Sequence, residues 1–171
     1  MSEEKAENIF YEADELINQG KMVEAKELFL ELLSEFPDYG RAHNHLGWLY
    51  NMKFNNYPKA KKHLELALKY AADYHAAYSN YSYLLIDMNL YDEMITFGNE
   101  VINYSVVDKS TIYTNMAKAY EFKGDNMRAY EYYKKATTAT LNNKTLDSLY
   151  ASLNRVKGKM SFFQKLKLIN N

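Results

Sequence analysis

Apolar residues recur three and four positions apart along most of the chain, in runs separated by short polar breaks. Ile9, Ala13 and Leu16 form one such series, and Val23, Leu28, Leu32 and Leu33 form the next. That spacing is the period of an α-helix with one face turned inward. Strict alternation, the mark of a half-buried strand, is missing. The breaks carry helix punctuation. Gly20 lies between the first two runs, Pro37 follows the second, and Pro58 opens a later one, where its missing N–H costs nothing. Six Gly and two Pro in 171 residues are too few for the many turns of a sheet-rich fold. The pattern predicts an all-α chain built from pairs of helices.

The pairs repeat. Small residues that close the first helix of each pair stand at Ala13, Gly47, Ser82 and Ala117, spaced 34, 35 and 35 residues apart. The same register brings Ala25, Phe29 and Leu32 onto Ala60, Leu64 and Ala67, and onto Ala129, Tyr133 and Ala136. The extra residues fall near Asn55-Asn56 and in 106–109, where a helical repeat tolerates insertion. The third copy departs most, with Asn89 at the turn and Gly98 inside the second helix. Gly98 is expected to make room for a bulky neighbour such as Tyr113. This register resembles the tetratricopeptide repeat, a helix–turn–helix unit of 34 residues. The fourth copy is the most similar to it, through Gly124-Asp125 and Ala129 to Ala136.

The resemblance implies a right-handed superhelical solenoid of antiparallel helix pairs. Four repeats are expected at about 6–39, 40–74, 75–109 and 110–143, with a capping helix at 144–158, so that 1–158 forms one solenoid. Leu146, Leu149, Leu153 and Val156 give the cap its apolar face. A short basic and apolar tail, 159–171, follows. Its Phe162, Phe163, Leu166 and Ile169 fall at helical spacing. They either fold back to complete the cap, lie as a helix on a membrane surface, or serve self-association by swapping into a neighbour's groove.

In this family the first helices of successive repeats line a concave face where partner peptides lie. Carried onto this chain, the matching positions give Phe10 and Tyr11, then Asn44, His45 and Trp48, then Asn80 and Tyr83, and finally Asn115 and Lys118. Asn80 and Asn115 are equivalent, and an amide offers donor and acceptor to an extended backbone. Trp48 is the expected aromatic anchor. One subgroup grips acidic C-terminal tails of heat-shock chaperones with two Lys, two Asn and an Arg. The equivalent positions here hold Phe10, Asp14, His45, Ala76 and Asn80, or Asn44, Trp48, Asn80, Thr111 and Asn115. Both sets lack the cations, so that partner is not expected.

Composition narrows the function further. There is no Cys, which removes thiolate metal sites and Cys nucleophiles. His43 and His45 are two apart and point away from each other on a helix, while His63 and His75 stand isolated in sequence. No metalloprotease, nucleophile-elbow or phosphate-loop motif occurs. Neither an enzyme nor a cofactor or metal site is expected. The net charge of -1 does not favour nucleic acid. No apolar run reaches the roughly 18 residues of a spanning helix, and the acidic start lacks signal-peptide character, so a cytoplasmic protein is expected. The charge is unevenly placed: residues 1–40 carry a net of -8 and residues 123–171 a net of +7. The expected function is a protein-interaction adaptor holding a peptide or helix. The alternatives are a homo-oligomeric module, head to tail or tail-swapped, and an accessory subunit of a separate enzyme.

Overall fold

The structure is a computed structural model and describes residues 2–169, with side chains described over 3–168. Ten helices and no strand occur among the described residues. They are α1 (Ser2–Asn18), α2 (Met22–Glu35), α3 (Gly40–Met52), α4 (Tyr57–Tyr70), α5 (His75–Asp87), α6 (Tyr91–Val101), α7 (Lys109–Phe122), α8 (Asn126–Thr138), α9 (Asn143–Lys159) and α10 (Phe162–Ile169). The chain forms two compact units that divide at Leu84 and Leu85, inside α5.

In the first unit α1 packs on α2, α2 on α3 and α3 on α4. Its core alternates small and large side chains. Ala13, Ala25, Ala42, Ala60 and Ala67 are fully buried beside Phe29, Leu32, Leu46, Leu49 and Leu64. The small residues set how closely the helices cross. A Cβ on Gly47 would lie 2.5 Å from Leu64 Cγ, and one on Gly40 would lie 2.5 Å from Ala71 Cβ and 2.7 Å from its backbone nitrogen. The turns follow sequence chemistry. Gly20 takes φ +79°, and Asn56 caps α4 by accepting from the Lys59 N–H at 3.2 Å, with Pro58 in the first turn.

In the second unit α6 packs on α7, α7 on α8 and α8 on α9. Ala117, Ala129, Tyr133, Ala136, Leu149 and Val156 form its main apolar cluster, and Leu168 of α10 packs against it. Asp108, Asp125 and Asn142 cap α7, α8 and α9. Gly124 takes φ +80°, and Asn89 supplies φ +58° at the turn that lacks a Gly. The space at Gly98 is filled by Met116, whose Sδ would lie 2.5 Å from an added Cβ. Tyr113, expected there, instead packs on Tyr132 with ring centroids 6.0 Å apart. A flexible thioether fills an irregular gap better than a rigid phenol.

Candidate functional site

The first unit brings α1, α3 and α5 around a hollow of about 270 Å³, lined by Asp14, Ile17, His45, Trp48, Tyr74 and Asn80, with Asn44 and Ala76. Each side chain is aimed there by helical register. Asn44 and Trp48 are four apart on α3 and share a face. His45 stands one position on, and its Nδ1 meets the Arg41 carbonyl one turn back at 2.9 Å. Its Nε2 lies 3.2 Å from Asp14 Oδ1 on α1. Both neighbours are acceptors, so the ring satisfies both only as an imidazolium. Burial outweighs the backbone contact and the Asp14 carboxylate, and holds His45 below the usual histidine range.

Asn44 is buried, at 2% exposure, and accepts a hydrogen bond from Asn80 Nδ2 at 2.9 Å. This bond ties α3 to the start of α5. It uses one donor of Asn80, whose amide carries a second donor and an acceptor. Trp48 is half-buried, with Lys53 Nζ 5.8 Å from its ring centroid.

The hollow collects Asn44, His45, Trp48 and Asn80 from the sequence-based set. Tyr11 and Tyr83 are exposed, at 53% and 42%. Phe10, expected on the binding face, is buried at 3%. It stands edge-on to His45 with centroids 4.9 Å apart and lies under the Arg41 guanidinium at 4.2 Å. An unbranched apolar ring gains more from this enclosure than from water. Asn115 and Lys118 belong to α7 of the second unit. Asn115 is fully buried, and burial lowers the Lys118 pKa although Asp87 opposes it. Ile17 and Tyr74 were not picked out by sequence. Ile17 reads as one more apolar core position, and Tyr74 precedes α5 outside any helix period.

A second polar arrangement also escapes the sequence. His63, isolated along the chain, sits with Nδ1 2.9 Å from His43 Nδ1, and His43 Nε2 donates to the Pro37 carbonyl at 3.0 Å. Burial lowers the pKa of both rings, and a neutral His43 then accepts from the Nδ1–H of His63. Burial, reinforced by His43 and by Lys62 and Lys59, pulls His63 down to about 4. Here α3 and α4 bring together residues 20 apart, a distance no local motif spans. In the second unit Glu121 binds Arg155 through two bonds of 2.9 Å, Lys159 at 2.7 Å and the Tyr133 hydroxyl at 3.0 Å. The Arg155 bonds, with those from Lys159 and Tyr133, hold its carboxyl at about 2 despite partial burial.

Among the described residues no group of three or more His, Asp or Glu could hold a metal ion, and no helix is long and apolar enough to cross a membrane.

Stacked helical hairpins with small residues at the crossings and an amide and aromatic hollow on the first helices define a helical-repeat protein. The tetratricopeptide repeat model matches residues 40–74 and 110–143. No curated protein matches it in sequence. Among solved structures it is similar to Pseudomonas aeruginosa PilF, at 17% identity and TM-score 0.79, over 92% of this chain and 70% of that one. It is also similar to YrrB, described as a TPR protein with an unusual peptide-binding site, at 17% identity and TM-score 0.71, over 85% and 74% of the two chains. MamA from Desulfovibrio magneticus RS-1 aligns at 13% identity and TM-score 0.68, over 91% of this chain and 94% of that one. These likenesses are of fold.

Proposed function

We propose that the protein is an adaptor that holds an extended peptide segment across α1, α3 and α5. The observation that carries this reading is the Asn80–Asn44 amide pair beside Trp48 in one hollow. Asn44 fixes Asn80, so the remaining amide groups of Asn80 are preorganised for a peptide N–H and C=O. Trp48, Ile17 and Tyr74 supply apolar surface for one side chain. Asp14 and the net charge of -8 over residues 1–40 favour a segment with a basic residue nearby. Binding on a rigid surface spares the scaffold the entropy of ordering itself. YrrB supports the mode through the peptide-binding site its description names.

Selection from a random peptide display library tests this. The wild-type chain should enrich a shared motif with an apolar and a basic position. Trp48→Ala, with circular dichroism confirming its fold, should lose that enrichment. No enrichment by the wild type, or equal enrichment by the variant, refutes the reading.

A further inference from the structure

The second unit presents an apolar face to solvent on an anchored helix. Phe162 and Phe163 are 74% and 75% exposed and Leu166 is 45% exposed. The helix that carries them is capped at its start and packed on the core near its end. Ser161 and Gln164 form a reciprocal capping box: the Ser161 N–H donates to Gln164 Oε1 at 2.9 Å and the Gln164 N–H to Ser161 Oγ at 3.3 Å. Leu168 is half-buried on the α7–α9 core. The side chain of Ile169, the fourth residue expected to act with them, lies outside the described residues. Past Asp147 the sequence has no acid, and Lys157, Lys165 and Lys167 flank the aromatic pair.

The first unit offers the complement. Between α2 and α4 lies a hollow of about 420 Å³, with Leu30, Leu33, Pro37, Leu66 and Tyr70 as its apolar wall and Ser34, His43, Lys62 and His63 as its polar lining. That volume is within the about 300–1,000 Å³ of pockets that take apolar groups. Leu30 and Tyr70 are 41% and 42% exposed, so the walls are open to water. Glu27 and Glu31, four apart on α2 and exposed, share one face beside Leu30.

We infer that α10 of one copy docks into the α2–α4 hollow of a second copy. Phe162 and Phe163 enter between Leu30, Leu33, Leu66 and Tyr70, and Lys165 and Lys167 pair with Glu27 and Glu31. Aromatic knobs meet an apolar hollow, and the charges at the two surfaces are opposite, with -8 over residues 1–40 and +7 over residues 123–171. The occupant is a second copy because the fit is of this chain to itself. The contact joins unlike surfaces, so copies either chain or close into a ring or a reciprocal pair. It is independent of the peptide reading, which uses other helices.

Sedimentation velocity over a concentration series tests it with two variants of confirmed fold, Phe162→Ser/Phe163→Ser and Leu30→Lys/Glu31→Lys. The wild type should grow from 20.1 kDa to multiples of that mass. Salt should reverse the growth, since screening reaches about 3 Å at 1 M. Each variant alone should stay monomeric, because it lacks one half of the contact. Mixed in equal amounts they should form a dimer and nothing larger, because one intact α10 and one intact hollow remain. A wild type that stays monomeric at every concentration overturns the inference. So does a variant that still associates alone, or a mixture that fails to dimerise. Monomeric wild type that sediments with phosphatidylglycerol vesicles through Phe162 and Phe163 also overturns it, in favour of an anionic membrane surface.

Discussion

Residues 40–74 and 110–143 match one family model, yet they fill one aromatic position set with different chemistry. In the first, Tyr50 stacks on His63 at 5.5 Å, His63 meets His43 at 5.2 Å, and Lys59 lies 5.3 Å from the Tyr50 ring. In the second, the equivalent Tyr120 stacks on Tyr132 at 5.3 Å, Tyr132 meets Tyr113 at 6.0 Å, and Arg128 lies 5.5 Å from the Tyr120 ring. The backbone repeat fixes where three rings and a cation go. It leaves open whether the inner rings titrate near neutrality. Imidazoles make one copy sensitive to mild acid, while phenols, with Tyr132 raised further by burial, leave the other indifferent.

The largest expected effect tests how far the two copies are interchangeable. Gly40 and Ser110 open equivalent first helices. Ser110 has room for a side chain and donates to the Ala136 carbonyl at 3.2 Å. Gly40 has none, because the obstructing atoms include the Ala71 backbone nitrogen and the Tyr70 carbonyl carbon. Gly40→Ser should cost about 3 kcal/mol by overpacking, read as a lower denaturant midpoint. A neutral result would show that α3 and α4 part more easily than their packing implies.

Next comes the ion cluster that only the second unit has. Glu121→Gln keeps the shape and removes the charge that Arg155 and Lys159 share. It should cost about 2 kcal/mol, with amide exchange rising first in α7 and α9. Uniform exchange across the chain would argue against a local role.

Acid should then separate the copies. An unfolded His takes its proton near 6.5, while His63 resists until about 4. The first unit therefore loses stability as pH falls from 6.5 towards 4. Glu121 works in a lower window. Its charged form is favoured by the fold, so its contribution is lost as pH falls from 4.5 towards 2. At pH 5, the protection of α3 and α4 amides relative to their intrinsic exchange rates should fall below its pH 7 value, with that of α7 and α8 unchanged. His43→Tyr/His63→Tyr should shrink the difference to the part that buried His45 contributes. If both units respond alike at pH 5, the imidazole pair is not its source.

The smallest effect completes the exchange. Ser110→Ala leaves the Ala136 carbonyl short of one partner in a buried setting and should cost about 1 kcal/mol in a thermal melt.

Helices and repeats were legible because they rest on local chemistry. Pro58 marks a helix start, and the spacing of Ala13, Gly47, Ser82 and Ala117 exposes the register. The candidate site was legible in part. Asn44, His45, Trp48 and Asn80 meet because register places them on first helices. Phe10 misled because an aromatic on an inner helix reads the same whether it anchors a ligand or stacks on His45. Gly98 misled in another way: its vacancy was evident, but a flexible Met116 filled it before a rigid Tyr113 could.

The sequence by itself determined an all-helical chain of repeated hairpins, the Gly and Pro that punctuate it and the uneven charge along its length. Those follow from residues within a turn or two of each other, or from counting. Only the tertiary structure decided that His63 pairs with His43, that Glu121 gathers Arg155 and Lys159, and that Asn80 is held by Asn44. These contacts join residues 20 to 38 apart. Their partners are chosen by how closely small residues let the helices cross, a distance that periodicity does not encode.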